Sequence, residues 1–141
     1  MAEENEYLVR GALLYCINGT HPRRINLPIC HGSYIKGHPL LHKNDCKMGE
    51  NISYFGVCES ETPPEGAEEI RLAGYVPEGR TEEVEDVQGL KCIPDILGEW
   101  RGVKTKTNII GDFPALTMES YLICNCGGII QPVTSGQEYE E

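Results

Sequence analysis

Glycine and proline interrupt this sequence so often that it has little room for long helices. The chain of 141 residues contains 16 Gly and 9 Pro. Turn signals such as Asn18-Gly19 and Lys36-Gly37 recur about every ten residues outside one acidic stretch. Short apolar segments lie between them. The spacing predicts a small, mainly β fold with a single core, since one core usually takes roughly 100–200 residues.

Charge divides the chain into a β-rich body, two tails and one insert. Residues 59–86 contain ten acidic residues against Arg71 and Arg80, in a chain whose net charge is −10. This stretch has too little apolar surface to offset the entropy of ordering it. We expect one domain over residues 7–137, with acidic tails at 1–6 and 138–141. The insert at residues 59–87 should be a solvated loop, with room for a short helix at residues 66–72.

Composition also argues against several classes of function. Nucleic-acid binding requires a basic stripe, and the more basic half of this chain lacks interleaved aromatic residues. The apolar stretch at residues 121–130 is far shorter than the ~20 residues of a membrane-spanning helix. The first residues show neither the basic region nor the cleavage site of a signal peptide. We therefore expect no nucleic-acid partner, no membrane-spanning segment and no classical secretion.

Two short motifs occur twice. Residues 34–41 are echoed by residues 108–116, each copy being an apolar pair followed by a turn with Gly and Pro. Residues 14–19 are echoed by residues 122–127. Because Gly permits positive φ and Pro presets φ near about −65°, the first motif ends one strand and starts another. Two unrelated hairpins could share this chemistry, but the paired echoes favour internal repeats.

Seven cysteines without a signal peptide indicate thiols, metal ligands or core residues more than a disulfide framework. Four of them adjoin turn signals, where thiolates from separate loops can converge on a tetrahedral ion: Cys16, Cys58, Cys92 and Cys124. Cys124-Asn-Cys126 comes nearest to a zinc-binding pair, with one residue between the sulfurs. An inert buried cysteine is the alternative at each position. Spacing alone does not decide between zinc and disulfides.

The sequence contains no recognisable catalytic arrangement. His38 and His42 lie on either side of a proline, which argues against a helical metal pair. His31 follows Cys30, and neighbours in a strand point to opposite faces. Asp45 is expected to be a turn residue that bonds its own backbone. A phosphate-binding glycine loop and a Gly-x-Ser-x-Gly elbow are both missing. We expect a protein that is not an enzyme.

An ordered set of motifs runs through the chain, excluding the acidic insert. They are Tyr7-x-x-x-Gly-Ala-x-Leu-x-Cys16-x-x-Gly19, Gly37-x-Pro39, Asn51-Ile-x-x-Phe-Gly-x-Cys58, Cys92-x-Pro94, Trp100-x-Gly102, Gly111-x-x-Pro-Ala-Leu116, Cys124-x-x-Gly-Gly-x-Ile130 and Ser135-Gly-Gln137. In this order they resemble the PAAR-like proteins of contractile injection systems, a family catalogued as a domain of unknown function. Residues 36–39 and 111–115 are similar to eroded copies of the Gly-x-Pro-Ala-Ala-Arg turn of the wider group.

The resemblance implies a structure and a task. It implies a cone of short β-strands with pseudo-threefold repeats that caps a trimeric VgrG-like spike, one chain per trimer, with effector proteins as further partners. It places the protein in the bacterial cytoplasm before assembly and at the tip of the particle afterwards, delivered outside the cell or into a target cell. A zinc-stabilised adaptor that recruits a cargo protein is the alternative.

The resemblance also implies zinc as the bound metal. The wider group binds zinc mostly through His with a Cys, and this sequence departs from that set. Its four cysteines at family positions are Cys16, Cys58, Cys92 and Cys124, and Cys126 is the substitute ligand. Cys30 and Cys46 match no family element and are expected to be packing or surface residues.

Overall fold

The computed structural model describes residues 6–63, 65–77, 84–110 and 113–138. Within these ranges the chain forms short strands, and the fold is mainly β as predicted. The strands are β1 (Leu13–Cys16), β2 (Arg23–Arg24), β3 (Tyr34–Ile35), β4 (His38–Pro39), β5 (Glu69–Leu72), β6 (Val87–Leu90), β7 (Ile96–Arg101), β8 (Lys104–Ile110), β9 (Phe113–Ala115), β10 (Tyr121–Cys124) and β11 (Gly128–Pro132). None of the described helical turns is long and apolar enough to cross a membrane.

One antiparallel sheet covers the core. Its strand order is β2-β1-β11-β10-β7, so that β11 lies between β1 and β10. Along β11, Gly128, Ile130 and Pro132 are buried while the residues between them are partly exposed. This alternation places one face of the sheet against the core. Trp100 and Phe55 are the largest side chains buried there, each 1% exposed.

Three two-stranded hairpins complete the fold, formed by β3 with β4, β5 with β6, and β8 with β9. The first and third contain the two copies of the echoed Gly and Pro motif, so both copies are hairpins as predicted. The second joins a strand of the acidic insert, β5, to β6, which begins at the last residue of the insert. There residues 66–72 contain a strand, and the predicted short helix is wrong. Glu69 pairs with Leu90, and exposure alternates along β5 as a strand requires.

Three segments of the chain are related by pseudo-threefold symmetry. Residues 6–12, 39–45 and 114–120 each contribute one fully buried leucine, and the N–H of each leucine donates to the carbonyl oxygen of another. Leu8 donates to Leu116 at 3.0 Å, Leu116 to Leu41 at 3.3 Å, and Leu41 to Leu8 at 3.3 Å. The ring of hydrogen bonds is closed. A single chain therefore forms a layer with three equivalent sides.

Two further sets of main-chain hydrogen bonds repeat this relationship. Between neighbouring segments, the donors and acceptors are Arg10 and Pro39, Lys43 and Pro114, and Met118 and Glu6. Within each segment a turn is closed by Ala12 on Val9, by Asp45 on His42, and by Ser120 on Thr117. The two prolines of the echoed motifs thus occupy equivalent positions. Glu6 takes that position in the first segment, which the echo did not reveal.

Two strands run away from this three-segment layer. β1 begins immediately after the first segment and β10 immediately after the third, and both are antiparallel to β11. They therefore run parallel to each other, and both end at a cysteine. Four strand residues span roughly 13 Å. The layer lies at one end of the sheet and the cysteines lie at the other.

The predicted tails and insert are described only in part. Residues 1–5, 64, 78–83 and 139–141 lie outside the described residues. At the start of the C-terminal tail, Glu138 accepts a hydrogen bond from the N–H of Gly136 and forms an ion pair with Arg24 at 3.3 Å. The start of the insert is anchored to the sheet end, because the hydroxyls of Ser60 and Thr62 donate to the carbonyl of Cys126.

Candidate functional site

The four cysteines predicted as ligands come from the two ends of the sheet strands and from two neighbouring loops. Cys16 ends β1, where it pairs with Ile130, and Cys124 ends β10, where it pairs with Gly128. Gly128 lies between them. A Cβ atom on this glycine would be 3.0 Å from the Cys16 Sγ and 3.8 Å from the Cys124 Cβ.

The echoed motifs at residues 14–19 and 122–127 form matching turns at these positions. The N–H of Gly19 donates to the carbonyl of Cys16 at 2.9 Å, and the N–H of Gly127 donates to that of Cys124 at 3.1 Å. In the first turn the backbone N–H groups of Asn18 and Gly19 lie beside the Cys16 sulfur. Such N–H groups lower the cost of holding a thiolate, because they donate to its charge.

Cys92 and Cys58 lie beside the first of these turns. The thiol of Cys92 interacts electrostatically with those of Cys16 and Cys58. The main chain of Cys58 bridges to Gly19. Cys16, Cys92 and Cys58 thus form a continuous chain of contacts.

Cys126 joins the second turn to the same group. Its thiol is hydrogen bonded to Cys124 and interacts electrostatically with Cys58. On the other side of Cys124, the N–H of Asp95 donates to the Cys124 Sγ at 3.4 Å. We call Cys16, Cys58, Cys92, Cys124 and Cys126 the thiol cluster. These are the four cysteines that the sequence predicts as ligands, together with Cys126 as the substitute.

The electrostatics of the thiol cluster favour one thiolate among neutral thiols. The hydrogen bond from Cys92, assisted by the N–H groups of Asn18 and Gly19, lowers the pKa of Cys16 to about 6 against the opposing effect of burial. The same hydrogen bond and burial raise the pKa of Cys92. Burial, followed by the charge of Cys124, raises the pKa of Cys126 to about 11. A soft cation would relieve these thiols of their protons, since the thiolate is the ligand form.

The other two cysteines lie elsewhere. Cys30 is exposed and its sulfur is 2.9 Å from the Tyr34 hydroxyl. Cys46 packs against the edge of the main core, and burial raises the pKa of its thiol. Neither contacts the thiol cluster in the described hydrogen bonds.

A second group of candidate ligands lies in the three-segment layer. His31, His42 and Asp45 each offer one ligand atom, and these atoms lie within 4.8 Å of one another, so the group could hold a metal ion. Among the described residues this is the one group of three or more such ligand atoms, so no three sulfurs of the thiol cluster lie within 4.8 Å of one another. We call these three residues the His-Asp group.

Asp45 organises the His-Asp group. Its Oδ2 accepts the N–H of His42 at 2.8 Å, and both carboxylate oxygens lie 3.0 Å from the Nε2 of His31. The backbone carbonyl of Asp45 accepts the indole N–H of Trp100 at 2.8 Å, which fixes the turn against the core.

The two imidazole rings stack on each other. Their centroids are 3.9 Å apart, and the His42 ring also stacks on Phe113 at 4.6 Å. Burial lowers the pKa of His42, although the charge of Asp45 opposes this shift. The Nδ1 of His42 accepts the N–H of Asn44 at 3.1 Å. A neutral imidazole that retains a lone pair is the form that binds metals.

Sequence reasoning missed the His-Asp group. It treated Asp45 as a turn residue, which is correct for its main chain, and it rejected His42 as half of a helical pair with His38. His31 comes from the loop between β2 and β3, and nothing in its sequence neighbourhood points to residues 42–45. The spacing of His42 and Asp45, three residues apart in a turn, was the one available signal.

The comparisons with known proteins identify the family. A family model described as Domain of unknown function (DUF4280) matches residues 8–137. The chain belongs to this family. The matched range takes in the three-segment layer from Leu8 onward, the thiol cluster and the His-Asp group. No curated protein and no solved structure matches the chain.

Proposed function

We propose that this protein is a structural tip that caps the end of a trimeric VgrG-like spike of a contractile injection system, with one chain per trimer. The closed ring of Leu8, Leu41 and Leu116 is the observation that carries the proposal. A single asymmetric chain that binds on a threefold axis must offer three similar sides, and the ring is the centre of a layer that does so. The motifs that resemble PAAR-like proteins supply the identity of the trimer.

The glycines of those motifs support the same conclusion, because the fold requires them. A Cβ atom on Gly136 would be 2.5 Å from the backbone nitrogen of Ala12, and one on Gly19 would be 2.6 Å from the carbonyl oxygen of Phe55. Real Cβ atoms do not approach backbone so closely. The motifs therefore include residues on which the packing of the layer and the sheet depends.

The direction of the sheet suggests which end meets the spike. The β3–β4 and β8–β9 hairpins lead directly into the second and third segments, so they belong to the end of the sheet where the layer lies. Short hairpins offer unpaired strand edges, to which strands of a partner can add by backbone hydrogen bonds. The layer and these hairpins form the proposed docking face, and the thiol cluster lies at the distal end.

Zinc is the metal we propose for the thiol cluster. Cys16, Cys58, Cys92 and Cys124 would hold it, with Cys126 as the substitute. The backbone N–H groups that donate to Cys16 and Cys124 support the fit. The sulfurs would have to draw together around the ion, because among the described residues no three of them lie within 4.8 Å of one another. Bound zinc supplies a cross-link between the ends of β1 and β10 and their neighbouring loops. Such a link stiffens an end that is too narrow to be held by apolar burial alone.

The acidic insert is proposed to project away from the docking face. Its described acidic side chains at residues 59, 61, 65, 68 and 69 are exposed, and its start is tied to Cys126 at the thiol end. Burying such charges at an interface would cost desolvation without partners. Before assembly the protein would be in the bacterial cytoplasm, and it would leave the cell with the spike, together with any effector joined to it.

Co-expression with a VgrG-like protein of the same source tests the proposal. Native mass spectrometry should find one copy of this chain on each spike trimer. Tyr34→Asp, on a side chain 53% exposed in β3, should abolish that complex, whereas Ile17→Asp, 52% exposed at the thiol end, should not. Three copies per trimer, or a complex that survives Tyr34→Asp and not Ile17→Asp, would contradict the proposal. Capture of a cargo protein with no trimer would favour the adaptor.

A further inference from the structure

The threefold repeat provides an internal comparison for Asp45. In the third segment the N–H of Thr117 is accepted by the Oγ of Ser120 at 3.0 Å, and in the second the N–H of His42 is accepted by the Oδ2 of Asp45 at 2.8 Å. The two acceptors are equivalent residues of their segments. A neutral serine hydroxyl is therefore sufficient for this turn. The carboxylate at position 45 and the imidazole at position 42 exceed what the fold needs.

Burying the carboxylate of Asp45 and the imidazole of His42 costs free energy. Asp45 is 5% exposed and His42 is 6% exposed, and a buried charge is costly unless it has a partner. The partner of Asp45 is His31, which comes from a different part of the chain and is oriented so that its Nε2 faces both oxygens. Three groups that can bind a metal thus have their ligand atoms within 4.8 Å of one another. Metal binding would release the proton of His31 Nε2 and would replace the hydrogen bond from Asn44 to the Nδ1 of His42.

The distances suit a metal ion. Two ligand atoms bound at about 2.0–2.1 Å around a tetrahedral ion lie roughly 3.3–3.4 Å apart. The Nε2 of His31 is 3.0 Å from the Asp45 oxygens, and the Nδ1 of His42 is 3.8 Å from Oδ2. These separations bracket the required value. Because a metal binds in the plane of an imidazole and the two rings are stacked at 20°, the ring of His31 must turn for both nitrogens to face one ion. The ring of His42 is already fixed between His31 and Phe113.

The group is open on one side. A surface cavity of about 400 Å³ is lined by His31, His42 and Asp45 together with Asn44, Lys47 and Glu50. An ion held by three protein ligands at its wall would keep coordination positions free for water or for a donor from another molecule. This differs from the thiol cluster, where four cysteines would close the coordination shell.

We propose that His31, His42 and Asp45 form a second metal site, which binds a divalent first-row transition ion of the zinc class through one nitrogen of each histidine and one oxygen of Asp45. Imidazole and carboxylate ligands suit such ions better than calcium or magnesium, which prefer oxygen ligands alone. The site is independent of the spike-tip proposal. It lies in the three-segment layer, at the other end of the sheet from the thiol cluster.

Substitutions copied from the third segment give a test that preserves the fold. Asp45→Ser introduces the residue that Ser120 already is in the equivalent turn, so the turn can be kept while the carboxylate is lost. His31→Asn removes a ligand that lies outside both hydrophobic core clusters. His38→Asn is the matched control, because His38 is a histidine of β4 outside the His-Asp group. Circular dichroism and thermal unfolding check that each variant is folded.

The probe is zinc ion, titrated calorimetrically into metal-free protein. We expect the wild-type chain and His38→Asn to bind one ion at the His-Asp group besides any ion bound by the thiol cluster. Asp45→Ser and His31→Asn should weaken that binding at least tenfold while thiol-bound zinc is unchanged. Long-range proton–nitrogen NMR should show the imidazole signals of His31 and His42 shifting on addition of zinc. If Asp45→Ser does not fold, His31→Asn decides alone. Unchanged affinity and unmoved imidazole signals would overturn the site.

Discussion

The N–H of Leu116 donates to the carbonyl oxygen of Leu41 at 3.3 Å, although the acidic insert and the five strands β5 to β9 lie between them in the chain. Both side chains are fully buried. Each leucine is the third residue of its segment, and Leu8 completes the set. The contact is therefore one side of a triangle, which predicts that the three leucines contribute similarly to stability.

Truncation of the ring leucines tests this equivalence. Leu8→Ala, Leu41→Ala and Leu116→Ala should each lower the free energy of unfolding by about 2–5 kcal/mol, because each leaves a cavity in a closed layer. Leu97→Ala is the control, since Leu97 is 42% exposed and should cost less than about 1 kcal/mol. Urea unfolding measures all four. If truncating one ring leucine lowered the free energy of unfolding no more than Leu97→Ala does, the three leucines would not contribute equally to stability.

Glycine 136 provides a second test, of close packing. Its φ is +89° and an added Cβ would meet the Ala12 nitrogen at 2.5 Å, whereas Gly49 has a φ of +84° with nothing within 4 Å. Gly49→Ala should cost only the roughly 1–2 kcal/mol of a left-handed backbone. Gly136→Ala should cost about 1–3 kcal/mol more, because overpacking is added to the same strain. Equal midpoints of urea unfolding for the two variants would contradict this.

Metal content tests the thiol cluster. Protein purified under reducing conditions should contain about one thiol-bound zinc per chain, and a chelator should lower its melting temperature, since metal-binding energy is folding energy. Cys92→Ser should lose this zinc. Cys30→Ser should retain it, because Cys30 is exposed and a serine can still bond the Tyr34 hydroxyl. Full recovery of free thiols without metal, or disulfide pairing of these cysteines in reducing cytosol, would reject the site.

The insert should be dispensable for stability. None of its described residues from 63 to 77 belongs to either hydrophobic core cluster. Deleting residues 63–83 removes β5 but leaves β6 bonded to the body through the N–H of Cys58, which donates to Leu90 at 2.8 Å. The melting temperature should then fall by only a few degrees. Loss of cooperative unfolding in the deleted protein would mean that the hairpin is part of the core.

The sequence predicted the parts of the fold that depend on local backbone chemistry. Pro39 and Pro114 belong to echoed motifs because Gly and Pro restrict φ at their own positions, and the hairpins follow from that. The first segment could not be predicted as a repeat, because Glu6 stands where the other two segments have proline. The hydrogen-bond partners of the first segment also come from the other two segments, which are distant in the sequence. Residues 66–72 were misjudged for a related reason. Their strand depends on β6, whose pairing residues are distant in the chain.

The candidate sites divide in the same way. Cys16 and Cys124 were found because each precedes a glycine-containing turn, and matching turns place their sulfurs on either side of Gly128. The role of Asp45 could not be predicted from a local turn motif. Its use as a ligand depends on His31, which comes from a separate loop. Only the comparison of Asp45 with Ser120 shows that the carboxylate is more than the turn requires.

The closed ring imposes an order on how the chain can fold. Leu8 has no ring partner of the third segment until residue 116 has been synthesised, so its apolar side chain lacks that partner while the residues between them are made. Contacts this distant in sequence also slow folding, because a large loop must close before any of them forms. Nascent chains that stop within the insert would expose Leu8 and Leu41 together, and this makes the unfinished protein a natural client for chaperones that bind apolar segments.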